Sequence, residues 1–176
     1  MKKIATVISR IFDPFVSLFV VFMALFYGLP EFIWAFLLVI VVPFVLFIIA
    51  WKTKFIGNWD VSDRRERPKI LWTLVGVEIL SMVILRSTIA LPVLIALIGF
   101  AIITHFWKIS GHAMAAALAT GVLVSRFGWT WWPVFCIVPI VGWARVVRKD
   151  HTISQVTAGV AYSWILLVIF DYWIIR

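Results

Sequence analysis

Apolar residues run through this chain in long blocks separated by short polar breaks, and the blocks approach membrane-crossing length. A helix needs about 20 residues to cross a hydrocarbon core of about 30 Å. On that rule the pattern predicts seven helical segments, at 12–29, 32–51, 70–85, 89–106, 112–126, 128–143 and 152–175. The third, fifth and sixth are short, so their helices are expected to run on into the polar breaks. A count of six, or even five, true spans fits the same pattern. Only Pro30-Glu31 separates the first two segments, which fits a tight hairpin. The expected fold class is all-α: a polytopic membrane helical bundle of six to seven spans.

Composition agrees and narrows the class. Of the 176 residues, 64% are hydrophobic and the mean hydropathy is +1.10, far above soluble domains at roughly 45–50% apolar. The polar breaks leave no room for a separate soluble domain, so residues 1–176 are expected to form one integral membrane domain. The net charge of +8 does not point to nucleic acid, because the basic residues sit in short loops between spans. Bilayer headgroups and an anionic membrane lipid substrate are the expected partners. Nothing in the pattern specifies an oligomeric state.

The single cysteine, Cys136, lies in an apolar run, where core packing is expected. Met1-Lys2-Lys3 followed by apolar residues mimics a signal peptide. The run is long, is interrupted early by Asp13-Pro14 and has no A-x-A site, so it reads as a retained first span. Most of the eleven tryptophans, among them Trp51, Trp59, Trp107, Trp129 and Trp173, fall at segment ends, where an amphipathic ring prefers the interface.

Three polar segments carry nearly all the reactive chemistry: Asp60-x-x-Asp63-Arg64-x-x-Arg67-Pro68, Lys108-Ile109-Ser110-Gly111-His112, and Arg145 with His151 six residues on. Two apolar runs separate the first from the second, and two separate the second from the third. Span parity therefore returns all three to one membrane face. That scheme puts thirteen of the 16 Lys and Arg residues on the motif side and only Arg86, Arg126 and Arg176 opposite. With Arg64, Arg67, Lys108, Arg145 and Arg148 set aside as site candidates, the bias is still eight against three. The positive-inside rule then places the motif face in the cytoplasm.

Each segment has an ordinary reading when taken alone. Arg145 to His151 reads as a juxtamembrane basic cluster gripping headgroups. Ser110 reads as an N-cap for the small-residue helix that follows, and His105, two turns before His112, as a satisfied core histidine. Asp60, Arg64 and Arg67 would share a face if their segment were helical, and a mutually paired surface loop is the plain account of them. Together they hold arginine forks that match phosphate oxygens, two imidazoles, and a Ser-Gly turn that presents backbone N–H donors.

The three spacings resemble the type 2 phosphatidic acid phosphatase family, whose pattern is K-x6-R-P, then P-S-G-H, then S-R-x5-H-x3-D. Arg67-Pro68, Ser110-Gly111-His112 and Arg145-x5-His151 match it, across positions 60 to 155. The resemblance implies that His151 is a nucleophile forming a phosphohistidine and His112 the general acid on the leaving oxygen. It implies that Arg67, Arg145, Ser110 and the Gly111 N–H hold the phosphoryl oxygens. Asp60 stands where the family has lysine, Ile109 where it has proline, and Gln155 where it has the acid after the nucleophile. Asp60 is then expected to orient Arg64, with Arg64 or Lys108 supplying the missing positive charge. Gln155, four residues from His151, is expected to accept the imidazole Nδ1–H and set the tautomer without adding charge, which leaves a weakened or retuned nucleophile.

The expected activity is that of a metal-independent, cofactor-free membrane phosphatase acting on a lipid phosphate monoester or an isoprenoid diphosphate. Asn58-x-Asp60-x-x-Asp63 raises a second reading, a magnesium-dependent prenyl or alcohol-phosphate transferase. That chemistry needs another acidic cluster, which Asp13, Glu31, Glu66, Glu78, Asp150 and Asp171 do not form. A third is a non-enzymatic transporter or lipid-binding scaffold, raised by the intramembrane acids Glu78 and Asp171. For Glu78 a structural role is favoured, either pairing with Arg86 or reaching a hydroxyl across helices. The topology is open to direct test by labelling cysteines at positions 54, 126 and 149 in a Cys136→Ser background. Positions 54 and 149 should share one accessibility class and position 126 should fall in the other.

Overall fold

The computed structural model describes residues 1–86 and 91–170, Phe170 by its backbone alone. Asp171, Trp173 and Arg176 lie outside the described residues, as do the first two residues of the 89–106 segment. Among the described residues there is no strand. In chain order the helices are α1 (Lys2–Ile11), α2 (Pro14–Phe26), α3 (Phe32–Phe36), α4 (Val42–Lys52), α5 (Arg67–Leu85), α6 (Leu91–Phe106), α7 (Gly111–Phe127), α8 (Ile137–Val147) and α9 (Ile153–Phe170). A wide π turn, Leu37–Val41, joins α3 to α4, and a 3₁₀ stretch, Trp129–Cys136, leads into α8.

Four runs are long and apolar enough to cross a membrane: Lys2–Phe26, Phe32–Lys52, Arg67–Leu85 and Trp129–Val147. Leu91–Phe106 and Ile153–Ile169 are shorter apolar helices. The first run reaches back past the expected start at residue 12. It is broken at Asp13, whose backbone is extended and whose carboxylate accepts the Phe15 N–H at 3.0 Å, with Pro14 opening α2.

The chain divides into two compact units, Met1–Tyr27 with Ile109–Arg176, and Gly28–Lys108. In the first, α7 is the central element and packs against α2, α8, α9 and the 3₁₀ stretch. Every residue from His112 to Val122 is buried. Alanines and Gly121 dominate that stretch, and small side chains let neighbouring backbones close in, which is how helices associate where lipid offers no hydrophobic contrast. Cys136 closes the 3₁₀ stretch on an exposed position rather than in the core, because the 3₁₀ stretch buries none of its residues.

In the second unit α5 packs against α6 and against the π turn. Ser81 donates its hydroxyl to Leu38 O at 3.2 Å and to Val77 O at 2.9 Å, covering a carbonyl of the widened turn. Glu78, one turn before Ser81, is 1% exposed, and its Oε2 has no hydrogen-bond partner among the described residues. The expected pairing with Arg86 is not made: Arg86 lies eight residues on, about 12 Å along the axis, at the exposed C-cap of α5. The Ser81 hydroxyl is already spent on backbone carbonyls. Trp59 is held edge-on by Phe47 at 5.3 Å and Trp51 at 5.6 Å between ring centroids, which fixes the loop after α4 to that helix.

An unpartnered buried carboxyl costs about 1–3 kcal/mol, and an apolar side chain of similar size removes that cost. Glu78→Met is therefore expected to keep or raise the thermal midpoint in detergent, by about 2–4 °C per kcal/mol gained. A fall of that size would mean the carboxyl has a partner that matters.

Candidate functional site

The end of α8 shows how the third motif is built. Lys149 has φ +63, Asp150 N donates to Arg145 O at 3.1 Å and Lys149 N to Val146 O at 2.9 Å. These are the two hydrogen bonds of a Schellman cap with lysine in the left-handed position usually given to glycine. In such a cap the residue after the left-handed one folds back over the third residue from the helix end. Here that contact is ionic: Arg145 Nη2 meets Asp150 Oδ2 at 3.0 Å, and Arg148 Nε meets the same oxygen at 2.7 Å. Arg145 is 1% exposed, so the carboxylate holds a buried guanidinium in place. His151 N also reaches Arg145 O, at 3.4 Å, which seats the histidine directly after the turn.

The start of α9 completes the arrangement. Thr152-Ile153-Ser154-Gln155 forms a capping box: Gln155 N donates to Thr152 Oγ1 at 3.3 Å, and Thr152 N donates to Gln155 Oε1 at 3.2 Å. The same Oε1 lies 3.1 Å from His151 Nδ1. An amide oxygen only accepts, so Nδ1 carries a proton, and in the neutral ring Nε2 keeps the lone pair. His151 is 6% exposed, and its ring is held by a side chain that its own helix cap has already fixed.

The second motif opens α7. Ser110 Oγ accepts Ala113 N at 3.3 Å as N-cap, and Ser110 N donates to Gln155 O at 3.0 Å. Gly111 and His112 then supply first-turn N–H groups at the positive end of the helix dipole, an arrangement suited to an anion. His112 is 6% exposed. In this unit the structure thus gathers Ser110, Gly111, His112, Arg145, Asp150, His151 and Gln155 around the facing ends of α7, α8 and α9.

The remaining expected residues, Asp60, Arg64, Arg67 and Lys108, belong to the second unit. The 57–66 segment is a set of turns, not a helix, so Asp60, Arg64 and Arg67 do not share a helical face. Asn58 Oδ1 takes Ser62 N and Asp63 Oδ1 takes Arg65 N, short-range bonds that compete with helix formation. Val61 has φ +43, a strained conformation for a β-branched residue. Its carbonyl accepts Arg67 Nε at 2.8 Å, and Arg67 is buried at the start of α5. Arg64 is exposed and donates Nη2 to His105 O at 2.8 Å, covering a carbonyl at the end of α6. His105 is itself exposed, not a core histidine, because it falls in the last turn of α6, past the packed face that ends at Thr104. Among the described residues no group of three or more His, Cys, Asp or Glu side chains could hold a metal ion.

No family model matches the chain, and no solved structure matches it. A stretch of 56 residues is 41% identical to a lipid A 4'-phosphatase of Helicobacter pylori (strain J99 / ATCC 700824). That stretch is 31% of this chain and spans 28% of the relative's length.

Two features of the candidate site differ in how far the sequence shows them. The Arg145–Asp150 pair has no sequence signal, because its spacing is not helical and only the left-handed turn at Lys149 brings the two together. The T-x-x-Q capping box was a legible signal. Removing the carboxylate leaves a buried guanidinium short of its counter-charge, so Asp150→Asn should cost on the order of 3 kcal/mol in detergent denaturation. Lys149→Gly should gain about 1 kcal/mol by relieving the left-handed strain, whereas Lys149→Val should lose stability. A loss with glycine equal to that with valine would remove the Schellman account.

Proposed function

We propose that this chain is a membrane phosphatase acting on a lipid phosphate or isoprenoid diphosphate through a phosphohistidine on His151. The observation that carries the reading is the 3.1 Å contact of His151 Nδ1 with Gln155 Oε1, which leaves Nε2 as the nucleophilic nitrogen. The buried Arg145 and the N-terminal turn of α7 lie in the same compact unit. The partial likeness to a lipid A 4'-phosphatase supports the same class.

In this reading Nε2 attacks the terminal phosphorus, the P–O bond to the leaving group breaks (a lipid alcohol from a monoester, a lipid monophosphate from a diphosphate), and His112 gives its proton to the departing oxygen. Water then attacks the phosphohistidine, with His112 accepting a proton, and phosphate leaves. Arg145, Ser110 and the Gly111 N–H hold the phosphoryl oxygens, and no step calls on a metal or other cofactor. Arg64, Arg67 and Lys108 enter as further cations on the strength of the sequence pattern. The proposal keeps one domain, six to seven spans counting the shorter helices, and the motif face in the cytoplasm.

Purified protein should hydrolyse at least one member of a lipid-phosphate panel in EDTA. His151→Ala should reduce kcat on the order of 10³-fold or more, because nucleophile, acid and oxygen clamp act as one unit. Wild-type turnover in His151→Ala would end the phosphohistidine mechanism. Gln155→Glu keeps the reach of both hydrogen bonds and adds a charge that stabilises the imidazolium. The neutral nucleophile then appears only at higher pH, so the acid limb of the rate profile should move upward. Gln155→Leu loses both bonds and should be slow at every pH.

A further inference from the structure

Gln155, Gly159 and Ser163 follow one another at four-residue intervals on one face of α9, with His151 one step ahead of them, and that face meets the first turn of α7. Each makes a specific backbone contact there. The Gln155 carbonyl accepts Ser110 N at 3.0 Å, and Ser163 Oγ donates to Met114 O at 2.6 Å. Between them, a Cβ added at Gly159 would lie 2.6 Å from Ser110 O and 3.4 Å from Met114 N. The first distance is inside van der Waals contact, and the atom it meets is backbone, which cannot turn aside as a side chain does.

We infer that Gly159 is a positioning residue: its missing side chain sets the register between the Ser110-Gly111-His112 turn and His151, with Ser163 pinning the far end of the same contact. The catalytic consequence rests on the phosphatase reading above; the structural one does not. A Cβ at this position must push the Ser110 carbonyl away from α9. That strains the Ser110 N–H bond to Gln155, the residue that also holds the imidazole. The anion-binding turn and the nucleophile would move apart while both keep their chemistry. The expected signature is a lower kcat with KM nearly unchanged, since misplacement by about 1 Å can cost 10²-fold in rate.

Gly121 provides the control. A Cβ there meets the side chain of Leu167, in the same α7–α9 pair but roughly 15 Å up the helix. Gly159→Ala, Ser163→Ala and Gly121→Ala are compared in detergent by two measurements. One is turnover of dioleoyl phosphatidic acid in EDTA, and the other is hydrogen exchange at the Ser110 and Gly111 amides. Gly159→Ala should lower kcat about 10²-fold with KM within about threefold, and should speed exchange at Ser110 at least about tenfold. Ser163→Ala should shift both in the same direction by less, and Gly121→Ala should leave both at wild-type values.

Wild-type kcat and wild-type exchange in folded Gly159→Ala would overturn the inference, as would an equal loss in Gly121→Ala, which would mark general packing. If Gly159→Ala does not fold, Ser163→Ala decides, and unchanged Ser110 exchange in it counts against the inference. If the wild-type protein turns over no lipid phosphate, the phosphatase reading fails and the exchange measurement alone decides whether Gly159 sets the register.

Discussion

The carboxamide and carbonyl of Gln155 tie together the cap of α9, the imidazole before it and the start of α7. Its Oε1 closes the cap of α9 through Thr152 N and takes the proton of His151 Nδ1, while its backbone oxygen accepts Ser110 N from the start of α7. Ser110 and His151 are both buried, where an orphaned donor is costly. The arrangement is therefore cooperative in a simple sense: losing the glutamine oxygen deprives a helix cap and an imidazole at once. An imidazole held this way has its orientation set by the fold, so no cost of ordering it would fall on an encounter with a ligand.

The same end of the molecule depends on backbones that approach closely. Gly142 admits Val156 between α8 and α9, and a Cβ there would fall 2.9 Å from Val Cγ1. With Gly121 and the alanines of α7, such contacts replace the large interlocking side chains of a soluble core. Attraction between helices in lipid comes from van der Waals contact and a few hydrogen bonds, so the tightest spots carry a large share of it. The bulky aromatic residues are instead spent at the edges: Trp129, Trp131 and Trp132 are all exposed along the 3₁₀ stretch, where indole rings suit a membrane interface.

Block length announced the helices because hydrocarbon thickness sets a physical ruler, and that ruler does not depend on packing details. Boundaries followed less well. Arg67 begins α5 because proline is tolerated in the first turn, while the residues before it are held in turns by Asn58, Asp63 and the strained Val61. His105 and Cys136, both expected in the core, are exposed, His105 in the last turn of α6 and Cys136 at the end of the 3₁₀ stretch. In the candidate site, the i,i+4 spacing made the His151–Gln155 contact readable in advance. The Arg145–Asp150 pair was not readable, because one residue in a left-handed conformation shifts the register and nothing in the composition marks it.

The π turn at Leu37–Val41 gives the second span a place that tolerates a change of length. A π turn absorbs one residue more than the α-helical register holds, so removing one residue from it would leave a continuous α-helix with α3 and α4 presenting nearly the same faces. What would be lost is the widened turn itself, and with it the carbonyl that it leaves for Ser81 to cover. A one-codon deletion there is a local change; the same deletion within α5 would turn the residues on one side of it by about 100°.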